Sequence, residues 1–339
     1  MSAAAPDRGN GRAGPGIPVS PRRLIDREPW TFFGVPACGD LDGLDAQVAF
    51  LGVPFDAGTP QPGIPTGQSA GPAAARLASR YQFLYGDTAS IGWYDIEAGR
   101  DRLAGVTMAD VGDVAIQGAQ VEANFDRMTE AVRRIVARGT LPVSVGGDHS
   151  ISFPLVRGLS EAGEIHVVYL DGHADFVDDL DGAALSGASE MRRIRELPFV
   201  RSVAALGLRN VEREEFDDMR RLDVRWATAL DLIDGGGPDL VNRLVPASPA
   251  LYVSIDLDVL DISLTPGHSL PEPGGLSYRQ LRQTLALIAR RGTVIGFDVA
   301  ELNPMLDAGG STARVATWLI THFLSEIFEQ PRKGLARQD

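Results

Sequence analysis

The chain has 339 residues, 44% of them hydrophobic and 23% charged, which is enough apolar material for a substantial buried core. Acidic residues outnumber basic ones 45 to 32, giving a formal charge of -13 that argues against nucleic acid or an anionic membrane surface as a partner. The single cysteine, Cys38, excludes an internal disulfide and a cysteine-based zinc site, so metal or proton chemistry falls to five histidines and the carboxylates.

Residues 1–27 are rich in Gly, Pro, Ala and Arg and read as a flexible N-terminal arm, since such a composition buries little apolar area. The start has no apolar core behind its basic residues, and no apolar run approaches the roughly 20 residues that span a bilayer. The expectation is therefore a cytoplasmic protein. Ala46-Gln-Val-Ala-Phe-Leu-Gly-Val-Pro54 reads as a buried strand, and residues 107–112 as a second. Val121, Phe125, Met128, Val132, Ile135 and Val136 share one face of a predicted helix over 120–138. Strands follow at 141–147, 165–170, 203–208, 251–257 and 294–299, with helices at 212–221, 277–291 and 311–328. Ser277 and Gln280 have the spacing of a capping box. Alternating strands and helices predict an α/β fold: one three-layer αβα domain, 28–330, with a mainly parallel sheet of about eight strands. Residues 331–339 form a short tail, and Gly235-Gly236-Gly237 marks a loop within the domain.

Three strand ends are unusually polar: Gly146-Gly147-Asp148-His149-Ser150, Asp171-Gly172-His173-Ala174-Asp175, and Asp256-Leu257-Asp258. In a parallel sheet all three lie on one edge, where such folds build their sites. Side chains two apart on an extended chain point the same way, so Asp171, His173 and Asp175 converge, as do Asp256 and Asp258. With His149 this makes four carboxylates and two imidazoles around one point. Uncompensated, four buried like charges would repel and most would take up protons. Two divalent cations resolve the conflict, and oxygen-rich ligands with one imidazole per ion suit manganese, with nickel or iron as alternatives. Such a pair of ions can activate a water for attack on an electrophilic carbon. Gly146-Gly147 lacks the Lys-Ser or Lys-Thr ending of a phosphate loop.

These motifs resemble those of the ureohydrolases, the arginases and agmatinases, over roughly residues 46–330. Gly-Gly-Asp-His-Ser (146–150), Asp-Gly-His-Ala-Asp-Phe (171–176) and Ser-Ile-Asp-Leu-Asp-Val-Leu-Asp (254–261) match the metal motifs of that family. The loop Thr265-Pro-Gly-His-Ser-Leu-Pro-Glu-Pro-Gly-Gly-Leu-Ser277 and the segment Gly296-Phe-Asp-Val-Ala-Glu-Leu-Asn-Pro-Met-Leu-Asp307 also resemble it, in the agmatinase-like branch. The resemblance implies that His149 and Asp175 complete one metal, His173 and Asp258 the other, and that Asp171 and Asp256 bridge them. It further implies a catalytic Asp175 taking a proton from water, a Glu301 holding the guanidinium, and a homotrimer or homohexamer, with a paralogous subunit as a variant. Two positions depart from the family pattern. Ser186 stands where a proton-transferring histidine is usual, a feature shared with the formimidoylglutamase branch, and serine lacks a suitable pKa for that task. His268 lies in the loop after the third motif, and we expect it to reach the site as a shuttle or as a substrate contact, alongside Ser186. His166 and His322 read as structural.

The function expected is a two-metal hydrolase cleaving a guanidino or amidino C–N bond, releasing urea and an amine. Its small cationic substrate would be agmatine, a guanidino acid, guanidine or an alkylguanidine. A formimidoylglutamase releasing formamide is the alternative, and a catalytically weak paralogous subunit is a third reading.

Overall fold

In the computed structural model, residues 30–331 are described apart from 60–62, 81, 83–84, 88–89, 119 and 235–236, together with the pair Ile25–Asp26. Most of the proposed arm, the tail from 332 onward and two of the three loop glycines lie outside the described residues. The strands are β1 (Ile25–Asp26), β2 (Val48–Val53), β3 (Tyr85–Asp87), β4 (Ser90–Asp95), β5 (Arg100–Arg102), β6 (Met108–Val114), β7 (Leu141–Gly146), β8 (Ile165–Leu170), β9 (Val200–Leu208), β10 (Arg225–Thr228), β11 (Ser248–Asp256) and β12 (Gly292–Ala300). The α-helices are α1 (Gly71–Ser79), α2 (Val121–Ala137), α3 (Ser152–Arg157), α4 (Glu190–Glu196), α5 (Arg213–Arg221), α6 (Ala229–Ile233), α7 (Gly237–Leu244), α8 (Tyr278–Ala289) and α9 (Ser311–Glu329).

The main sheet runs β1-β6-β2-β7-β12-β11-β8-β9-β10. Eight of its strands are mutually parallel, and β1 pairs antiparallel with β6 at the edge. All seven strands expected from the sequence are in this sheet. The eighth parallel strand, β10, reads Arg-Trp-Ala-Thr, too short and too polar to stand out by periodicity. β3, β4 and β5 form a separate antiparallel ribbon.

Alternation along each strand sends its apolar residues to both faces. Val48 and Phe50 of β2 join one core with α1, α7, α8 and α9, while Ala49, Leu51 and Val53 join another with α2, α3, α4 and α5. This is why the strands read as continuous apolar runs: both faces are covered. The α8 start is capped as its sequence predicts, with Ser277 Oγ accepting from the Gln280 N–H at 3.3 Å and Gln280 Oε1 accepting from the Ser277 N–H at 2.9 Å. His322 is held among Trp93 and Trp318, its ring 4.9 Å from the Trp93 ring, and burial beside Arg282 pushes its pKa down to about 4. His166 donates to or accepts from Ser202 at 2.8 Å on β9. No helix of the described residues is long and apolar enough to cross a membrane.

For function, the decisive feature is the order β7-β12-β11-β8 at the sheet centre. Registers pair Leu170 with Ile255, Asp256 with Ala300, and Val299 with Val145. The carboxyl ends of four adjacent strands therefore finish at one level, and the polar segments that follow them are delivered to one place.

Candidate metal centre

The first polar segment leaves β7 through a pair of glycines with a packing reason. A Cβ on Gly147 would sit 1.8 Å from the Phe55 carbonyl oxygen, so only glycine lets the chain pass this close. Asp148 then caps the short turn His149–Ile151 by accepting from the Ser150 N–H. Its carboxyl is fully buried and pushed up to about 7 by burial and then by Glu301. The turn places the His149 ring over the sheet edge, stacked on Tyr169 with centroids 4.7 Å apart.

The carboxylates converge on this ring. His149 Nδ1 lies 3.0 Å from Asp171 Oδ2, 3.1 Å from Asp256 Oδ2 and 3.4 Å from Asp175 Oδ2. His173 Nδ1 lies 2.8 Å from Asp258 Oδ2 and 3.6 Å from Asp171 Oδ1. The two oxygens of Asp171 thus face different histidines. The convergence expected from the sequence is present, but strand alternation is not its cause. Asp256 ends β11 and Asp258 sits in a 3-10 turn (Leu257–Val259), where the Asp256 carboxylate accepts from the Asp258 N–H at 2.8 Å. Asp175 has a left-handed backbone, φ 47°, a conformation that Asp tolerates better than most residues.

Burial and mutual repulsion from Asp175, Asp256 and Asp258 push Asp171 up to about 8. Burial also raises Asp256, but positive charge on His268 and the bonds from both His268 and His149 outweigh it, and its carboxyl is held well below the usual range. The imidazoles of His149 and His173 show the reverse balance: burial opposes charge, yet bonds to the surrounding aspartates raise both strongly. Asp171 Oδ2 and Asp258 Oδ2 are buried against the rings of His149 and His173 without a well-aligned hydrogen bond, a costly arrangement that a cation would relieve. Three-residue groups with donor atoms within 4.8 Å of one another recur around the point: His149–Asp171–Asp256, Asp171–His173–Asp258, His149–Asp175–Glu190 and Asp256–Asp258–His268. The oxygen-rich donor set fits divalent ions of the manganese type.

His268 is brought to the site as expected. It is 3% exposed, and its Nε2 lies 2.7 Å from Asp256 Oδ1. The Leu270 N–H donates to its Nδ1 at 3.0 Å, which places the ring proton on Nε2, shared with Asp256. Burial disfavours a second proton, but Asp256 raises the ring to about 9. Glu301 follows β12 with φ 63°. Its Oε1 accepts from the His149 N–H at 2.9 Å and its Oε2 from Gln68 Nε2 at 3.0 Å. Ser186 is buried with its hydroxyl 3.0 Å from that of Ser189, while Gly187 and Ala188 form the neighbouring cavity wall. Asp178 is paired with Arg193 at 2.6 Å, and Asp179 accepts from the Gly182 N–H.

Three polar residues of the site escape sequence reading. Tyr169 is hidden in an apolar strand, Glu190 in the first turn of a short helix, and Gln68 in the 3-10 turn that leads into α1. A cavity of about 270 Å³ opens over the centre, lined by His149, His173, Asp175, Asp256, His268 and Glu301 together with Gln68, Glu212, Glu215 and Glu272.

A parallel αβα sheet with a carboxylate–histidine centre at its carboxyl edge defines a metallohydrolase-type site. The family model of the arginase family matches residues 46–325, and the chain belongs to that family. It is 33% identical to "Arginase 1, mitochondrial" of Arabidopsis thaliana, over 85% of this chain and 83% of the relative. It is 31% identical to the guanidinopropionase of Pseudomonas aeruginosa, over 90% and 93%. Among solved structures it resembles the proclavaminate amidino hydrolase from Streptomyces clavuligerus, with a TM-score of 0.77, 26% identity and coverage of 91% and 99%. The chain is accordingly a metal-dependent amidinohydrolase acting on guanidino groups.

Proposed function

We propose that this enzyme is a two-metal ureohydrolase of guanidino compounds whose tail is neutral or cationic. The carrying observation is the charge of the cavity. Among the described residues that line it there is no lysine or arginine, while Glu212, Glu215, Glu272 and Glu301 are all present. A carboxylate tail would enter that field unpaired and lose affinity. Agmatine, guanidine and small alkylguanidines fit the field. Guanidino acids fit it less well, and formiminoglutamate, with two carboxylates, least of all.

His149, Asp171, His173, Asp175, Asp256 and Asp258 would hold two divalent ions, with Asp171 and Asp256 shared. Manganese is the first choice and nickel the second. When bound, the ions supply Lewis acidity and a water activated for attack. Glu301 accepts hydrogen bonds from the guanidinium, and the unpartnered Gln68 Oε1 offers a further acceptor beside it. Asp175 would take the proton released during attack and return it toward the leaving amine, and His268, held against Asp256, would contact substrate or relay that proton. Retention of all six proposed ligands weighs against the weak-subunit reading. We place the enzyme in the cytoplasm as a homotrimer or homohexamer, the assembly that the family resemblance implies.

The test is a panel of guanidino substrates with manganese- or nickel-loaded protein, scored for urea. We expect urea from agmatine or a small guanidine, and kcat/KM at least about ten-fold lower for guanidinobutyrate, a loss of roughly 1.4 kcal/mol. Formamide from formiminoglutamate as the best reaction would overturn the assignment. His268→Asn should slow turnover at neutral pH. An unaltered rate and pH profile in the variant would remove His268 from the mechanism.

A further inference from the structure

Tyr169 is the penultimate residue of β8, and alternation turns it toward the face covered by α2, α3 and α4. Its hydroxyl has three acceptors in reach: His149 Nδ1 at 2.9 Å, Asp175 Oδ2 at 2.9 Å, and Glu190 Oε1, the closest of the three. A phenol has one hydrogen to give. An ordinary phenol titrates at about 10, so at neutral pH it holds that hydrogen. The first two acceptors belong to residues proposed above to hold a divalent ion, and a hydrogen directed at either would occupy a lone pair the ion could use.

Glu190 is 1% exposed, on the first turn of α4. Its Oε1 lies 3.6 Å from His149 Nδ1, and its Oε2 is buried with no hydrogen-bond partner. Tyr169 donates to this carboxyl, and Asp175 lies within hydrogen-bond reach of it. We propose that Glu190 is a positioning residue of the metal centre: it draws the Tyr169 hydrogen to itself and leaves His149 Nδ1 and Asp175 Oδ2 open to a divalent cation. This rests on the two-metal reading given above. The effect is confined to one side, because the neighbours of His173 are Asp258, Asp171 and Glu272, with no phenol among them.

The test uses metal-free full-length protein titrated with Mn2+ alone against a competing chelator, resolving two stepwise affinities. Glu190→Gln keeps the shape but replaces the carboxyl acceptor with an amide that can turn its NH2 toward the phenol. It should weaken one of the two Mn2+ ions by about 10–100-fold, the usual cost of losing such a supporting group, and leave the other unchanged. Adding Tyr169→Phe removes the competing hydrogen, so the double variant should recover the lost affinity. Tyr169→Phe alone should bind both ions as the wild type does, and it serves if Glu190→Gln does not fold. Equal affinities in Glu190→Gln and wild type would overturn the proposal. So would a double variant as weak as Glu190→Gln, which would mean that Glu190 meets the ion directly, and so would a weakened ion in Tyr169→Phe alone. If the wild type itself fails to bind two Mn2+, the two-metal reading falls first.

Discussion

Asp256→Ala is expected to abolish hydrolysis and to lower the metal content from two ions per chain to one or none. Asp256 ends β11 at the centre of the four converging strands, level with Ala300 of β12. Its two oxygens serve different neighbours, Oδ2 facing His149 at 3.1 Å and Oδ1 facing His268 at 2.7 Å. Removing it strips both rings of a counter-ion and leaves each proposed metal site one carboxylate short. Metal-centred charge stabilisation contributes several kcal/mol, so its loss should cost about 10³-fold or more in rate. Ions per chain measured after dialysis, together with urea release, check the expectation. Full occupancy with normal turnover in this variant would refute Asp256 as a shared ligand.

The sheet and most of the site were legible because both are written in local patterns. Strands buried on both faces appear as apolar runs, and parallel topology then fixes which ends of them meet. That reasoning alone put His149, the two aspartates and the histidine of 171–175, and Asp256 with Asp258 on one edge. It assigned the wrong cause to the last pair, since an extended chain was assumed where Asp256 caps a 3-10 turn. β10 was illegible because an edge strand of four residues needs little apolar content. Tyr169, Glu190 and Gln68 were illegible for a different reason. Each is a polar residue whose partner is distant in sequence, and nothing local distinguishes Glu190 from a first-turn glutamate of ordinary helix-dipole preference. His268 stood out only as a departure from a family pattern, and its contact with Asp256 depends on how the loop 262–276 folds back over β11.

Glu301→Gln is the second large effect expected, and it should act on substrate without touching the metals. The backbone at Glu301 is held in the left-handed region, and its N–H donates to the Gly147 carbonyl at 2.9 Å, which locks the residue to the loop that carries His149. Both carboxylate oxygens already face donors, the His149 N–H and Gln68 Nε2. A glutamine must present its own NH2 group to one of these two donors, so it fits poorly on either side. Gln68 can relieve one of the two clashes by turning its amide, but it then withdraws Nε2 from Ser269 Oγ, now 2.7 Å away. The charge that would meet a guanidinium is also lost, in a position only 8% exposed. Breaking one partner of a buried ion pair costs about 3–5 kcal/mol, which corresponds to a fall in kcat/KM of roughly 10²–10³-fold or more. Mn2+ content should stay at two per chain, because Glu301 belongs to none of the donor groups around the centre. A variant that keeps kcat/KM while losing an ion would reverse the assignment, making Glu301 a support for His149 and leaving the guanidinium to another acceptor, with Gln68 Oε1 the first candidate.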